Sequence, residues 1–438
     1  MLNRWLFKHI DNSSLIIFRV FFGLLITLES FGAILTGWVR QTLIEPQFTF
    51  SFIGLGWLQP LPGNWMYFYF AVMGIFGIGV MLGYKYRTSI IGFTILWAGV
   101  YFMQKSSYNN HYYLLVLLNL FMCIMPANRY FSVDVKQNPS LLKQSMPQWC
   151  SVIIIAQMAI VYTYAAIAKI YPDWLDTTFM EILMRGKKSY YLIGEFLQQK
   201  GLHYVLAYGG ILFDLLIVPL LLWRRTRKWA FITAIFFHLF NSIVFQIGIF
   251  PYMSIALCVF FFPVKTIQKL FFKSKPFYEE GELVVPSYKP ILLTVFGLYF
   301  IIQLALPLRH WFIKDDVLWT EEAHRLSWRM MLRAKHGIAH FTVVDKETNK
   351  RTIIKLDDYL TKKQKGIVSS KPDIIWQFAQ RLKQQFAAEG KDVAVYVDCR
   401  ISVNGRPLKQ LIDPKFDLAS VKWNAFKHSD WILPSNDD

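Results

Sequence analysis

The sequence predicts a polytopic α-helical membrane protein of about nine transmembrane helices, with a C-terminal extracytoplasmic α+β, strand-rich soluble domain. Three observations carry this. Of 438 residues, 54% are hydrophobic and only 17% charged, too apolar for a soluble chain of this length. The apolar residues gather into runs near 14–36, 65–83, 88–104, 111–126, 149–170, 205–223, 229–247, 249–264 and 290–307. After Pro307 the composition turns polar, with 23 Lys+Arg and 17 Asp+Glu over 308–438. The expected domains are therefore 1–307 in the membrane and 308–438 outside it.

Taking the elements in order, Met1–Ser13 places basic residues before an apolar run, as a signal peptide does. That run continues past Gly23 to about Leu35 with no convincing cleavage site, so it reads as the first membrane helix. Several later runs fall near or below the ~20 residues a simple spanning helix needs, 249–264 most of all. Charge sets the orientation. With the N-terminus cytoplasmic, the cytoplasmic connections hold 16 Lys+Arg and the opposite ones 7, and Arg224-Arg225-Thr226-Arg227-Lys228 is the sharpest cytoplasmic stop. The 169–204 connection, with Lys187-Lys188, is the exception. The net charge of +18 lies between the apolar runs rather than in a tail or stripe, which points to a bilayer and not to nucleic acid.

In 308–438, alternating stretches at 338–344, 352–356, 393–399 and 400–403 predict strands, and 372–387 has helical apolar spacing with Asp373 in its first turn. Asn404-Gly405 suits a hairpin turn. Cys123, Cys150, Cys258 and Cys399 show neither a disulfide framework nor the spacing of a zinc site.

Ionisable residues inside apolar runs are costly, and here they are Arg19, Glu29, His111, Lys169, Asp214 and His238. Arg19 and Glu29 stand ~15 Å apart along one helix, so each needs another partner; structural pairing is the reading for both and for Asp214. Lys169 ends a run, Ser151–Ala168, that has no charged residue, and Pro172 follows it. A lysine there is either an interfacial anchor or a base held in a dry pocket. The topology places Asn109-Asn110-His111, Lys169, and His238 with Asn241 in the outer half of the membrane. A transport path would spread polar groups through the full depth. One-sided clustering predicts instead a site open to lipid and to the outer domain. Desolvation favours a neutral lysine, a usable base near pH 7, and Ala165 and Ala166 would leave open volume on its face. Neighbouring His and Asn donors could then steady an anion made by proton removal. An apolar molecule with an acidic hydroxyl, such as a quinol, suits such a site.

Several separated motifs occur together. Lys105-Ser-Ser-Tyr-Asn-Asn-His-Tyr-Tyr-Leu114, Ala168-Lys-Ile-Tyr-Pro-Asp-Trp174, Phe237-His-Leu-Phe-Asn-Ser242, Leu61-Pro-Gly-Asn-Trp-Met-Tyr67 and Phe245-Gln-Ile-Gly-Ile-Phe250 resemble vitamin K-dependent gamma-glutamyl carboxylase, in a bacterial form. The resemblance runs from about Phe18 to Trp328 and weakens beyond. It implies a transmembrane catalytic domain, a substrate-binding outer domain, and conversion of peptidyl glutamate to gamma-carboxyglutamate. CO2 and O2 are co-substrates, and vitamin K hydroquinone or reduced menaquinone is oxidised to the epoxide, with no metal. It also implies roles. Lys169 is the base on the hydroquinone, whose reaction with oxygen gives the alkoxide that deprotonates glutamate, and Asn110 and His111 assist. By the same reading His238, Asn241, Tyr162 and Ala166 belong to the quinol pocket, and His324, Ser327 and Trp328 to the glutamate site. The expected location is a bacterial inner membrane, with a glutamate-containing peptide or protein as partner; nothing in the sequence sets the oligomeric state.

Some residues depart from the family. Ala168 stands where vertebrate members have a second lysine, and the 37–64 loop has no cysteine for the disulfide those members form. The outer domain is shorter and Ala323-His324-Arg325-Leu326 differs, which leaves propeptide recognition open. The alternative from another class is a quinol-binding membrane protein, or an epoxidase without protein carboxylation, acting as a scaffold or sensor.

Overall fold

The computed structural model describes residues 2–279 and 281–435. Each of the nine apolar runs is helical: α1 (Ser13–Leu35), α2 (Trp65–Leu82), α3 (Tyr86–Met103), α4 (Asn110–Ile124) and α5 (Trp149–Ala168), then, beyond the short α6 (Thr178–Arg185), α7 (Lys200–Leu222), α8 (Arg227–Phe245), α9 (Phe250–Leu257), and, beyond α10 (Val264–Phe271), α11 (Lys289–Leu308). Six of these helices are long and apolar enough to cross a membrane. α4 and α9 are apolar but shorter, and the 249–264 run is helical only to Phe261, its last turn tightened to a 3-10 form.

Small residues let the first helices touch. A Cβ on Gly23 would lie 2.3 Å from the Met81 backbone nitrogen, and one on Gly77 would lie 2.5 Å from Thr27 Oγ1. In a bilayer, where apolar side chains gain nothing by leaving lipid for a partner helix, such close backbone approach is a main source of association. Arg19, buried in α1, meets carbonyls rather than a carboxylate: its guanidinium donates to Ala127 O at 3.0 Å and Phe131 O at 2.6 Å. Glu29 accepts from the Tyr112 hydroxyl at 2.9 Å.

Contacts sort the connections to two ends of the bundle. At one end His9–Asp11 pairs with Ser145–Pro147 in a short antiparallel ribbon, and Asp11 meets Lys275 at 2.5 Å with both side chains fully buried. At the other end the 37–64, 105–110 and 169–199 connections carry the C-terminal domain. Gln364 donates to Phe48 O at 2.8 Å, Gln377 to Ser51 O at 2.9 Å, and Asn404 to Asp173 at 2.7 Å. The 169–204 connection, basic though it is, lies with the C-terminal domain.

That domain is a four-stranded antiparallel sheet, β1 (Lys335–Asp345), β2 (Arg351–Ile354), β3 (Val393–Val403) and β4 (Lys409–Ile412), in the order β2-β1-β3-β4. Helix α12 (Pro372–Ala388) covers one face, its Phe378 ring set edge-on to Phe341 at 4.9 Å. The separate stretches expected at 393–399 and 400–403 are one strand; a register shift at Cys399/Arg400 interrupts its pairing with β4, not its backbone. Asn404 and Gly405 have φ of 51° and 78°, the left-handed pair a tight turn needs, but Arg406–Leu408 intervene before β4. Residues just after Pro307 stay with the bundle: Trp328 is fully buried in its core, stacked on Tyr113 at 4.9 Å.

A buried charge triad joins the two parts. Asp373 meets Lys105 at 2.6 Å and Arg325 at 2.5 Å. Burial alone would raise the Asp373 carboxyl, but Arg325 and Lys105 pull it down to about 2. Burial pushes the Lys105 ammonium from 10.5 down to about 8, against the pull of Asp373.

The helix contact and the triad can each be tested. Gly23→Leu should force α1 and α2 apart and abolish monodisperse elution in detergent, whereas Gly297→Ala, whose added methyl has no neighbour within 4 Å, should be tolerated. Equal behaviour of the two variants would refute the close-contact account. Lys105 gives a pH test. Between its folded value near 8 and its ordinary 10.5, the folded lysine has lost a proton that the unfolded chain keeps, so stability contributed there rises with pH. The thermal midpoint of the wild type relative to Lys105→Met should therefore climb across that window; a constant difference would sink the assignment.

Candidate functional site

The site begins with a helix stop. Proline disfavours helical geometry in the residue before it, and Tyr171 is extended at φ −148° and ψ 160°, so α5 ends with Lys169 as its cap. The Lys169 side chain turns back into the bundle, donating to Ala165 O at 3.1 Å, and its ammonium lies 5.4 Å from the Trp174 ring. Its principal partner is Asp214 of α7, whose Oδ2 is 2.5 Å from Nζ. Both residues are buried. This sharpens two expectations. Asp214 is paired, as a carboxylate in an apolar run was expected to be, but its partner is Lys169 itself, and Lys169 is held in an ion pair rather than standing alone. The missed signal was the aspartate itself in an otherwise uncharged run; sequence alone did not show that α5 and α7 pack face to face.

Lys169 and Asp214 line a cavity of about 340 Å³. Tyr162, His238, Asn241 and His111 also line it, as do Phe213, Phe237, Phe250 and Met331. Members of the three groups expected at one depth, His111, Lys169, and His238 with Asn241, thus meet. His238 Nε2 is 3.0 Å from the Tyr162 hydroxyl, and its Nδ1 is buried without a hydrogen-bond partner among the described residues. The His111 ring stacks on Phe250 with centroids 3.9 Å apart. The cavity reaches the lipid-facing surface between α7 and α8, where Val205 and Phe236 are 66% and 70% exposed.

Two other expected residues do not line this cavity. Asn110 accepts from the Tyr108 hydroxyl at 2.8 Å and donates to Arg329 O at 2.9 Å, so its amide fastens α4 to the segment after α11. Ala166 is packed in α5, as is Ala165, and the open volume lies toward α7 and α8 instead.

A second cavity, of about 560 Å³, lies on the other side of the α5 terminus, lined by Ala168, Tyr171, His310, Ser327 and Arg329 among others. One helix end thus walls both cavities. Of the residues expected at a glutamate site, only Ser327 lines this one, and its hydroxyl is turned to His324 O at 2.5 Å. Trp328 is core, and His324 is buried away from both cavities. Burial, followed by the nearby Arg333, holds the His324 imidazole well below its usual range. Arg329, which the sequence reading passed over, is buried with Nη1 3.2 Å from His310 Nε2, and burial lowers its guanidinium to about 10.

The backbone around this cavity is unusual. Asp315, Glu321, Ala323, Leu326, Trp328 and Met331 all have φ between 49° and 75°, a conformation that costs non-glycine residues energy and collects at functional sites. Glu321 helps to hold the segment. Burial alone would raise its carboxyl, but Arg333, which bonds it through two nitrogens, and Lys335 at 3.5 Å hold it well below the usual range.

A helical membrane bundle with a buried, lipid-accessible lysine–carboxylate site and a strand-rich domain on one end defines a membrane-embedded class of protein. The comparisons with known proteins are more specific. Residues 7–265 match the HTTM domain, and residues 288–438 match the lumenal domain of vitamin K-dependent gamma-carboxylase. The chain belongs to the vitamin K-dependent gamma-carboxylase family. No solved structure matches it. The lumenal domain makes the C-terminal part extracytoplasmic.

The ion pair can be tested apart from any activity. Asp214→Leu strands a buried ammonium, a change that typically costs about 3–5 kcal/mol. It should lower the melting temperature, and Lys169→Met/Asp214→Leu should recover much of the loss. A double variant as unstable as the sum of the two single ones would show that the pair is not coupled.

Proposed function

We propose that this protein is an integral membrane carboxylase that converts peptidyl glutamate to gamma-carboxyglutamate, coupled to epoxidation of a reduced quinone such as menaquinone or vitamin K hydroquinone. The observation that carries the reading is the Lys169–Asp214 pair lining an apolar cavity that opens between α7 and α8. The chain's own residues fit a quinol there. Phe213 and Phe237, stacked on each other at 3.8 Å, offer one aromatic wall to a flat ring, and His238 Nδ1, without a hydrogen-bond partner among the described residues, offers a polar atom to a hydroxyl. The reduced quinone supplies, with O2, the strong base needed to remove a γ-proton from glutamate so that CO2 can add.

Lys169 acts as the base on the quinol hydroxyl. It first releases a proton, and Asp214 is the acceptor within reach. With the proton on the carboxyl, the amine is free to take one from the substrate in a pocket that excludes water. His238, held by Tyr162, and Asn241 orient the quinol oxygens, and His111 borders the reacting ring. Asn110 acts at one remove, by fixing α4 to the 326–331 segment. The glutamate side chain enters the second cavity, where Arg329 is the cation suited to its carboxylate. The 1–307 part then carries the chemistry and the 308–438 part presents the peptide, in a bacterial inner membrane with the N-terminus cytoplasmic.

A second reading, quinol epoxidation without protein carboxylation, is favoured by the burial of His324 and Trp328 away from the cavities. One experiment separates the two. Purified protein is supplied with reduced quinone, O2, labelled bicarbonate and the peptide Phe-Leu-Glu-Glu-Leu. Epoxide with fixed label supports the carboxylase; epoxide without label supports the second reading. Lys169→Ala should lose both products by roughly 10²–10⁴-fold, the usual contribution of a positioned base, while staying folded. Wild-type epoxidation by that variant, without added amine, would remove Lys169 from the role.

A further inference from the structure

Along α9, from Ile249 to the end of the bundle away from the lumenal domain, α1, α8, α9 and α10 border a groove of about 630 Å³ with almost no polar lining. Leu25, Phe231, Ala256, Ile267 and Phe271 are among its walls. It shares no lining residue with the Lys169 cavity, and the proposal does not rest on the quinol reading. α10 closes the groove and is two-faced. Ile267, Leu270 and Phe271 turn to the groove, while Lys265 and Lys269, one helical turn apart, form an exposed basic edge. On α8, the exposed Lys228 precedes Phe231 by three residues, which places it one turn nearer that end of the helix on the same side. Among the described residues neither Lys228 nor Lys269 has a carboxylate partner; Lys265 lies 5.7 Å from the Phe277 ring.

We propose that this groove seats one acyl chain of an anionic phospholipid whose headgroup lies on Lys228, Lys265 and Lys269. A concave apolar surface by itself would not select a lipid, because surrounding chains are as apolar as the groove. Charge is the selecting term, and a surface lysine favours an anionic headgroup by about fivefold. A zwitterionic lipid with the same chains has the groove but not this gain. The groove and the three cations together therefore define a site for an anionic, two-chain lipid, and its two parts can be removed separately.

The test is native mass spectrometry of the full chain, released from mixed micelles with equal phosphatidylglycerol and phosphatidylcholine of identical chains. The wild type should retain phosphatidylglycerol at least tenfold over phosphatidylcholine, with one molecule outlasting the rest under activation. Lys228→Gln/Lys265→Gln/Lys269→Gln, which changes only exposed side chains, should abolish the preference. Ala256→Phe, which fills the groove and leaves the lysines, should lose the long-lived molecule; elution volume and melting temperature report whether that variant is folded, and Leu25→Phe fills the groove from α1 if it is not. Equal retention of the two lipids by the wild type overturns the proposal, as does a preference that survives the triple substitution. Retention unaffected by a folded groove-filling variant overturns it too. Displacement of the long-lived lipid by a long-chain menaquinone would assign the groove to a quinone tail instead.

Discussion

The structure depends on where α5 stops. Pro172 forces Tyr171 into extended backbone, and that single break turns an uncharged helix into a helix with a lysine cap. It also begins the one-turn helix Pro172–Leu175, which carries two groups facing opposite ways. Trp174 lies over the Lys169 ammonium and donates to Ala207 O at 2.9 Å. Asp173 accepts from Asn404 at 2.7 Å and from Arg406 at 2.9 Å, both on the turn after β3. A stretch of six residues is therefore fixed from the membrane side by α7 and from the outer side by the sheet. Neither part alone holds it.

Much of this was legible in the sequence, for identifiable reasons. The bundle follows from long apolar runs, which in a bilayer have few alternatives to a helix because every backbone polar group must be satisfied internally. The sorting of the connections to two ends followed from helices that alternate in direction. The meeting of His111, Lys169, His238 and Asn241 followed from depth, since helices that alternate in direction bring outer-half residues to one level. Depth does not encode rotation about the helix axis. Asn110 and His111 are adjacent, yet one fastens a loop and the other lines the cavity. Ala166 and Lys169 lie on one helix, yet only the lysine reaches open volume. Asp214 needs a partner, as any carboxylate in an apolar run does, but that partner sits 45 residues away on a helix whose facing direction no local pattern reveals.

The segment after Pro307 was harder for a different reason. Its six left-handed non-glycine residues follow no propensity rule; they are imposed by contacts with both the bundle and the sheet. Trp328, which the resemblance puts at the glutamate site, fills the bundle core against Tyr113. A composition change marks where hydrophobic spans end. It does not mark where packing with them ends.

The shared wall at the end of α5 has a consequence for traffic. Lys169 faces a chamber whose mouth lies in hydrocarbon between α7 and α8, while Ala168 and Tyr171 face one bordered by Asp315 and Asp316 at the outer domain. Under the proposed function, a molecule held in the oil and one held in the water would meet across the end of a single helix. The partition between the two phases is reduced here to one turn of polypeptide, and neither visitor has to cross it.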